Sequence, residues 1–228
     1  MELKEVVPWG RLASEYIRMF ALTPQDMNGR ILDCAGGPSS FTAEMTRQRK
    51  SVVSCDPVYQ FMTEEIRTRI DETYPRMMAL NETNRGRFRW EEFGSPTQLG
   101  QMRMRAMGLF LEDFPEGKAQ GRYVVGELPC LPFSAGSFDL ALCSHFLFTY
   151  SELFSTEFHA ESILEMTRIA VEVRVFPLLT AFSGELSPHL SVVMDTLRNH
   201  GHDLEVREVE YEFQKGANKM LVVSGKGS

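Results

Sequence analysis

Two acids and the small residues between them carry the most informative chemistry in this chain. Asp33 stands near the end of the apolar run that contains Ile31 and Leu32, and Ala35, Gly36, Gly37, Pro38, Ser39 and Ser40 follow it. Tiny or absent side chains let a large flat ligand approach the backbone at a strand end. Pro38, Ser39 and Ser40 then open a helix whose first N–H groups lack partners within it, and serine is a good N-terminal cap. The next apolar run, Ser51–Cys55, ends in Asp56 and Pro57. An acid at this distance, at the tip of a second strand, is set to accept hydrogen bonds from ribose hydroxyls. Asp56 could equally cap the segment that follows it. A later apolar run ends in Cys143-Ser144-His145-Phe146. An imidazole with a near-neutral intrinsic pKa suits a base or an orienting group there, although a histidine at a strand end can equally be a satisfied structural group. Tyr150 and Tyr59 are further candidates as walls or donors. His159, His189, His200 and His202 share no metal-ligand spacing, and the four cysteines (Cys34, Cys55, Cys130, Cys143) contain no C-x-x-C pair, so no metal site is expected.

The elements that must position these residues follow from hydrophobic periodicity. Short aliphatic runs at Arg30–Ala35, Ser51–Cys55, Tyr123–Val125, Phe138–Cys143 and Glu172–Phe176 read as buried parallel strands. Helical stripes lie between them: Tyr59, Met62, Ile66 and Ile70; His159, Ile163, Met166 and Ala170; Leu190, Val193, Met194 and Leu197. Alternating strands and helices mean an α/β domain with a mostly parallel sheet. Trp9, Leu12, Tyr16 and Phe20 make a helical leader within residues 1–29. Near the other end, Leu204–Phe213 and Lys219–Ser224 read as a hairpin, so the sheet should close with an antiparallel strand. Residues 75–121 exceed an ordinary connection. Leu99, Met102, Ala106, Phe110 and Phe114 form a helical stripe inside that segment. Either it covers the ligand cleft as a lid, or it only pads the sheet. Phe146, Phe148 and Phe154 are expected in the core.

With 228 residues, 43% hydrophobic and 24% charged, the chain suits a single domain spanning 1–228. No run is long and apolar enough for a membrane span. MELKEVVPWG has no basic region followed by an apolar stretch, so no secretory signal is expected. Cysteines in strand-like runs behave as small hydrophobes and fit a reducing cytoplasm. Net charge is −7 and the pI is about 5.3, which argues against a nucleic-acid partner.

In these motifs the chain resembles the class I S-adenosylmethionine-dependent methyltransferases, from Ile31 to Ser224 with the insertion excepted. Asp33-Cys-Ala-Gly-Gly-Pro-Ser matches the family's acidic, glycine-rich turn, with Ala35 and Ser39 where two glycines are usual. GELPCLPFSAGSFDLALCSH, residues 126–145, matches a second stretch. The resemblance implies a Rossmann-like, seven-stranded, mostly parallel sheet with helices on both faces and an antiparallel C-terminal hairpin. It implies S-adenosylmethionine as cofactor, a contact between Glu127 and the adenine amino group, and Leu128 with its N–H toward the ring. Backbone groups around Ala35, Gly36 and Gly37 would meet the cofactor's ammonium. Its carboxylate needs a cation or donors, for which Arg11, Tyr16, Ser39 and Ser40 are candidates. Ser144 and His145 would face the acceptor, Asp139 would be structural, and the single domain suits a small-molecule acceptor. Two other readings stay open. An NAD(P)-dependent oxidoreductase shares the first unit, although Gly-x-Gly-x-x-Gly, a second domain and parallel terminal strands are missing. A non-catalytic S-adenosylmethionine-binding protein would keep the cofactor and lose turnover.

Overall fold

A computed structural model describes residues 5–225. Its centre is a seven-stranded sheet of β1 (Arg30–Cys34), β2 (Ser51–Cys55), β3 (Tyr123–Val124), β4 (Phe138–Ser144), β5 (Ala170–Phe176), β6 (Asp203–Glu208) and β7 (Lys219–Ser224). The spatial order is β3-β2-β1-β4-β5-β7-β6. The first five strands pair in parallel, and β7 pairs antiparallel with both β5 and β6. The central strands are mostly apolar because helices cover both faces. Strand order reverses between β1 and β4, and this reversal opens a crevice beyond their carboxyl ends.

Among the described residues, six α-helices surround the sheet: α1 (Ala13–Met19), α2 (Phe41–Arg47), α3 (Thr63–Thr83), α4 (Pro96–Ala119), α5 (Thr156–Ile169) and α6 (Leu190–Asn199). The Ser95 side chain accepts from the Gln98 N–H to start α4, with Pro96 at the first helical position. Ser155 caps α5 in the same way. Along α6 the stripe Leu190, Val193 and Leu197 is buried, while Val192 on the opposite side is exposed. α4 packs on α2, α3 and β3, and Phe110 and Phe114 lie against Tyr59 and Tyr123 with ring centroids 5.3 to 5.8 Å apart.

Several expectations about element bounds are corrected: Tyr59 and Met62 precede α3, and Ala170 opens β5 rather than continuing α5. The leader helix begins only at Ala13, so Trp9 and Arg11 lie in extended chain. Gly10 there sits so close to the Pro38 carbonyl that any Cβ would collide with it, which requires glycine and holds the segment against the turn after β1. The penultimate strand ends at Glu208 rather than Phe213. Tyr211 and Phe213 leave the sheet edge and are buried among aromatic rings, Phe213 stacking on Phe88 at 4.5 Å. Burying two large rings outweighs extending an edge ladder whose residues face water. Among the described residues no helix is long and apolar enough to cross a membrane.

Candidate functional site

A cavity of about 490 Å³ lies beyond the carboxyl ends of β1, β2, β4 and β5. Nearly every residue singled out from the sequence lines it: Arg11, Tyr16, Ala35, Gly36, Gly37, Ser39, Asp56, Pro57, Glu127, Leu128, Ser144 and His145. Asp33 and Ser40 do not reach its wall. The Asp33 carboxylate accepts from the Tyr16 and Ser54 hydroxyls, each at 3.2 Å, and is 1% exposed. Burial pushes its pKa up to about 7, with those two hydrogen bonds opposing and the nearby Asp56 adding to the rise.

The turn after β1 is shaped for close approach. Ala35 and Gly37 have φ of 52° and 53°, a region that costs an alanine strain and a glycine none. A Cβ on Gly37 would meet nothing, whereas one on Gly36 would strike Ser54 and Asp33. The cavity side is therefore open, and the rear is packed. The Tyr59 hydroxyl donates to the Gly37 carbonyl at 2.7 Å. Tyr59 thus supports the turn from behind and is fully buried, rather than walling the cavity. Ser40 occupies the N-cap position of α2 without a capping bond from its side chain. The Ser39 hydroxyl takes that role, accepting from the Phe41 N–H at 3.1 Å. Both serine hydroxyls donate to the Arg11 carbonyl, at 3.3 and 3.2 Å.

Asp56 does two jobs. Oδ2 accepts from the Gly37 N–H at 2.9 Å and Oδ1 from the Val58 N–H at 2.7 Å. It therefore ties the β1 turn to the β2 turn and also caps the short 3-10 segment Pro57–Gln60. Burial raises its pKa to about 6, with the two backbone donors opposing and Glu127 adding to the rise. Arg11 lines the same cavity. Its Nη1 donates to the Trp9 carbonyl at 3.2 Å, but its buried Nε has no partner among the described residues. Burial and the neighbouring Arg103 lower its pKa.

β4 ends in Ser144 and His145. His145 has φ 50°, and its N–H donates to the Phe176 carbonyl at 2.6 Å. Its Nδ1 lies 3.0 Å from Ser144 Oγ, and the ring packs edge-on against Phe176 at 5.3 Å. Burial, then the charges of Arg11 and Arg103, hold its pKa well below the ordinary histidine value, so the ring is neutral at pH 7. Asp139, at the far end of β4, accepts from the Arg30 N–H at 2.7 Å and joins two strand starts.

The remaining wall was not visible in the sequence. Met77 and Asn81 of α3, Phe88, Thr149, Phe182, Tyr211, Phe213 and Gln214 all line the cavity. Phe146 and Phe154, expected in the core, line it as well, whereas Phe148 is buried in the core. Their convergence comes from four separate segments, and no local spacing encodes it.

No protein-family model matches the chain. It is 32% identical over 224 residues to the uncharacterized protein MJ0045 of Methanocaldococcus jannaschii, covering 98% of each chain. Magnesium protoporphyrin IX methyltransferase from Synechocystis PCC 6803, solved with bound S-adenosylmethionine, superposes with a TM-score of 0.50 at 10% identity, over 94% of this chain and 78% of that one. A TehB-like S-adenosylmethionine-dependent methyltransferase from Corynebacterium glutamicum gives 0.49 at 15% identity, over 93% and 87%. The fold is that of the class I S-adenosylmethionine-dependent methyltransferases, including the antiparallel β7.

Proposed function

We propose that this chain, which belongs to the same family as protein MJ0045, binds S-adenosylmethionine in the cavity and methylates a small-molecule acceptor in the cytoplasm. The observation that carries it is the presence of both a carboxylate and a guanidinium in the lining of one crevice. Asp56 stands beside an open small-residue turn, and Arg11, with an unpaired buried nitrogen, lines the same cavity. A ligand with ribose hydroxyls and a carboxylate answers both, and the open face at Gly37 leaves room for its backbone-hugging middle.

The cofactor, when bound, supplies an electrophilic methyl group on a sulfonium. The protein's residues then bind and orient. Asp56 accepts the ribose hydroxyls with the lone pairs left over from Gly37 and Val58. Glu127 accepts the adenine amino group, with Leu128 beside the ring. Arg11 receives the carboxylate. Tyr16 shapes that end with its ring, since its hydroxyl is committed to Asp33. Ser39 acts indirectly, by fixing the Arg11 backbone. His145, neutral and braced by Ser144, presents its other ring nitrogen to the acceptor and orients it. With two guanidiniums depressing its basicity, it takes a proton only as the acceptor loses it. The stretch 75–121 covers the acceptor side through Met77, Asn81 and Phe88, excluding water. The net charge of −7 favours a small acceptor over a nucleic acid.

Calorimetry with S-adenosylmethionine and S-adenosylhomocysteine tests the core of this. Saturable binding of both is expected, and no heat from either at millimolar ligand would sink it.

A further inference from the structure

We infer that the half of the cavity beyond β4 and β5 takes an uncharged planar aromatic ring bearing an oxygen substituent, anchored by Asn81 and Thr149; this presupposes that the other half holds S-adenosylmethionine. The two halves differ in chemistry. The carboxylates that line the cavity, Asp56 and Glu127, both follow β2 and β3. The other half is walled by Phe88, Phe146, Phe154, Phe182 and Phe213. These rings brace one another: Phe88 stacks on Phe213 at 4.5 Å and meets Phe182 edge-on at 6.1 Å, and Phe146 lies 5.2 Å from Phe154. Rigid aromatic walls select a flat ligand that can stack or meet ring edges.

Polar groups also stand in this wall; Tyr150, Tyr211 and Gln214 have hydrogen-bond partners, and two others do not. Asn81 is 2% exposed, and its Nδ2 has no hydrogen-bond partner among the described residues. Thr149 Oγ1 is buried and unpartnered in the same way. A buried amide without an acceptor is costly, and a leucine of similar volume would avoid the cost. The two come from unrelated elements, α3 and the turn after β4. The Thr149 carbonyl accepts from the Ala181 N–H at 3.0 Å, which fixes that turn to the segment after β5. A ring oxygen supplies the acceptor that Asn81 lacks, and Thr149 can give or take a hydrogen bond.

Charge narrows the class further. Aromatic cages also hold cations. Here no carboxylate lines this half, and Arg11 and Arg103 act on His145 at its border. A cationic acceptor would meet Arg11, which lines the cavity, and the sulfonium, with no carboxylate on this side to offset them. One cavity of about 490 Å³ is shared by cofactor and acceptor, which favours a compact acceptor.

Three probes of matched skeleton test this by calorimetry on the protein saturated with S-adenosylhomocysteine: 2-naphthol, decahydro-2-naphthol and 2-naphthylmethylamine. The first should bind at least tenfold tighter than the saturated alcohol and the ammonium. Asn81→Leu should weaken 2-naphthol at least fivefold with S-adenosylhomocysteine affinity unchanged, and Thr149→Val should weaken it in the same direction. If S-adenosylhomocysteine binds while 2-naphthol does not, the aromatic acceptor is wrong and the methyltransferase reading stands. The aromatic acceptor is equally wrong if either other probe binds as tightly, or if both variants leave 2-naphthol affinity intact. If 2-naphthol binds in this order to a protein that takes no S-adenosylhomocysteine, the ring site stands and the cofactor assignment fails. Binding of neither overturns both.

Discussion

At the scale of single residues, Asp33 and Asp56 carry opposite meanings. Asp56 lines the cavity, and its carboxylate is the charged form that a ribose needs. Asp56→Ala should weaken S-adenosylmethionine binding by about 1–3 kcal/mol, the cost of losing a buried hydrogen-bonding partner. Because its pKa is raised to about 6, wild-type affinity should fall as pH drops through that value, and the fall should vanish in the variant. Calorimetry between pH 5 and 8 checks both. Asp33 is different, since its carboxyl is buried behind the wall. Its folded value of about 7 exceeds the reference 3.8, so the folded chain holds that proton more tightly than the unfolded one. Stability is then favoured below about 4 and is lost as pH rises to about 7. Asp33→Asn removes a charge penalty on the order of 4 kcal/mol above that range. Its melting temperature should rise at pH 8 and change little at pH 4. For His145→Ala, transfer should slow while cofactor affinity is kept. With His145 already neutral, the wild-type rate should show no inflection near 6.5. Full activity in the variant, in a radiolabelled transfer assay, would demote the residue to structure.

At the scale of elements, the position of Arg11 depends on a contact between α1 and α4. Arg103 Nη2 donates to Glu15 Oε1 at 2.8 Å and Nη1 to Oε2 at 2.5 Å, and the Tyr211 hydroxyl donates to Oε1 at 2.9 Å. Both ends of the ion pair are almost inaccessible, at 1% and 4% side-chain exposure. Glu15 Oε2 also accepts from the Leu12 N–H at 3.1 Å, next to Arg11 in the chain. Removing one partner leaves a buried unpaired charge, so Arg103→Met should cost about 3–5 kcal/mol in denaturant unfolding. Glu15→Leu combined with Arg103→Met should recover most of that loss, because the pair's attraction largely offsets its desolvation. This clamp was not legible beforehand. Arg103 lies on a helix whose apolar stripe was visible, but nothing in its local pattern marks it as buried. Its partner is 88 positions away.

At the scale of the whole molecule, the cavity takes its lining from segments far apart in the chain. Residues 6–11 cover one side, and Tyr211–Ala217 reach in from the connection between β6 and β7. A ligand touching so many segments should stabilise the folded state globally. At a hundredfold excess over Kd the gain is about 2.7 kcal/mol, or roughly 5–10 °C in melting temperature for a domain of this size. A thermal scan with S-adenosylhomocysteine checks this, and an unchanged midpoint would mean that the ligand binds folded and unfolded chain alike or not at all.

Periodicity and turn chemistry, both local, determined the strands within a residue or so for β1, β2, β3, β4 and β7. The same local signals brought out the small-residue turn, Asp56 at its strand tip, and His145 at the end of β4. A strand–turn–helix–strand unit buries its own apolar faces in register, so its pattern is written in adjacent residues. Only the tertiary structure decided the rest. It withdrew Asp33 from the wall, freed Arg11 from a helix, and turned Tyr211 and Phe213 out of an expected strand. It gathered Asn81, Phe88, Thr149 and Phe182 into one chamber. Those outcomes depend on which distant surfaces exclude water together, and side chains far apart in sequence share no period that could reveal it.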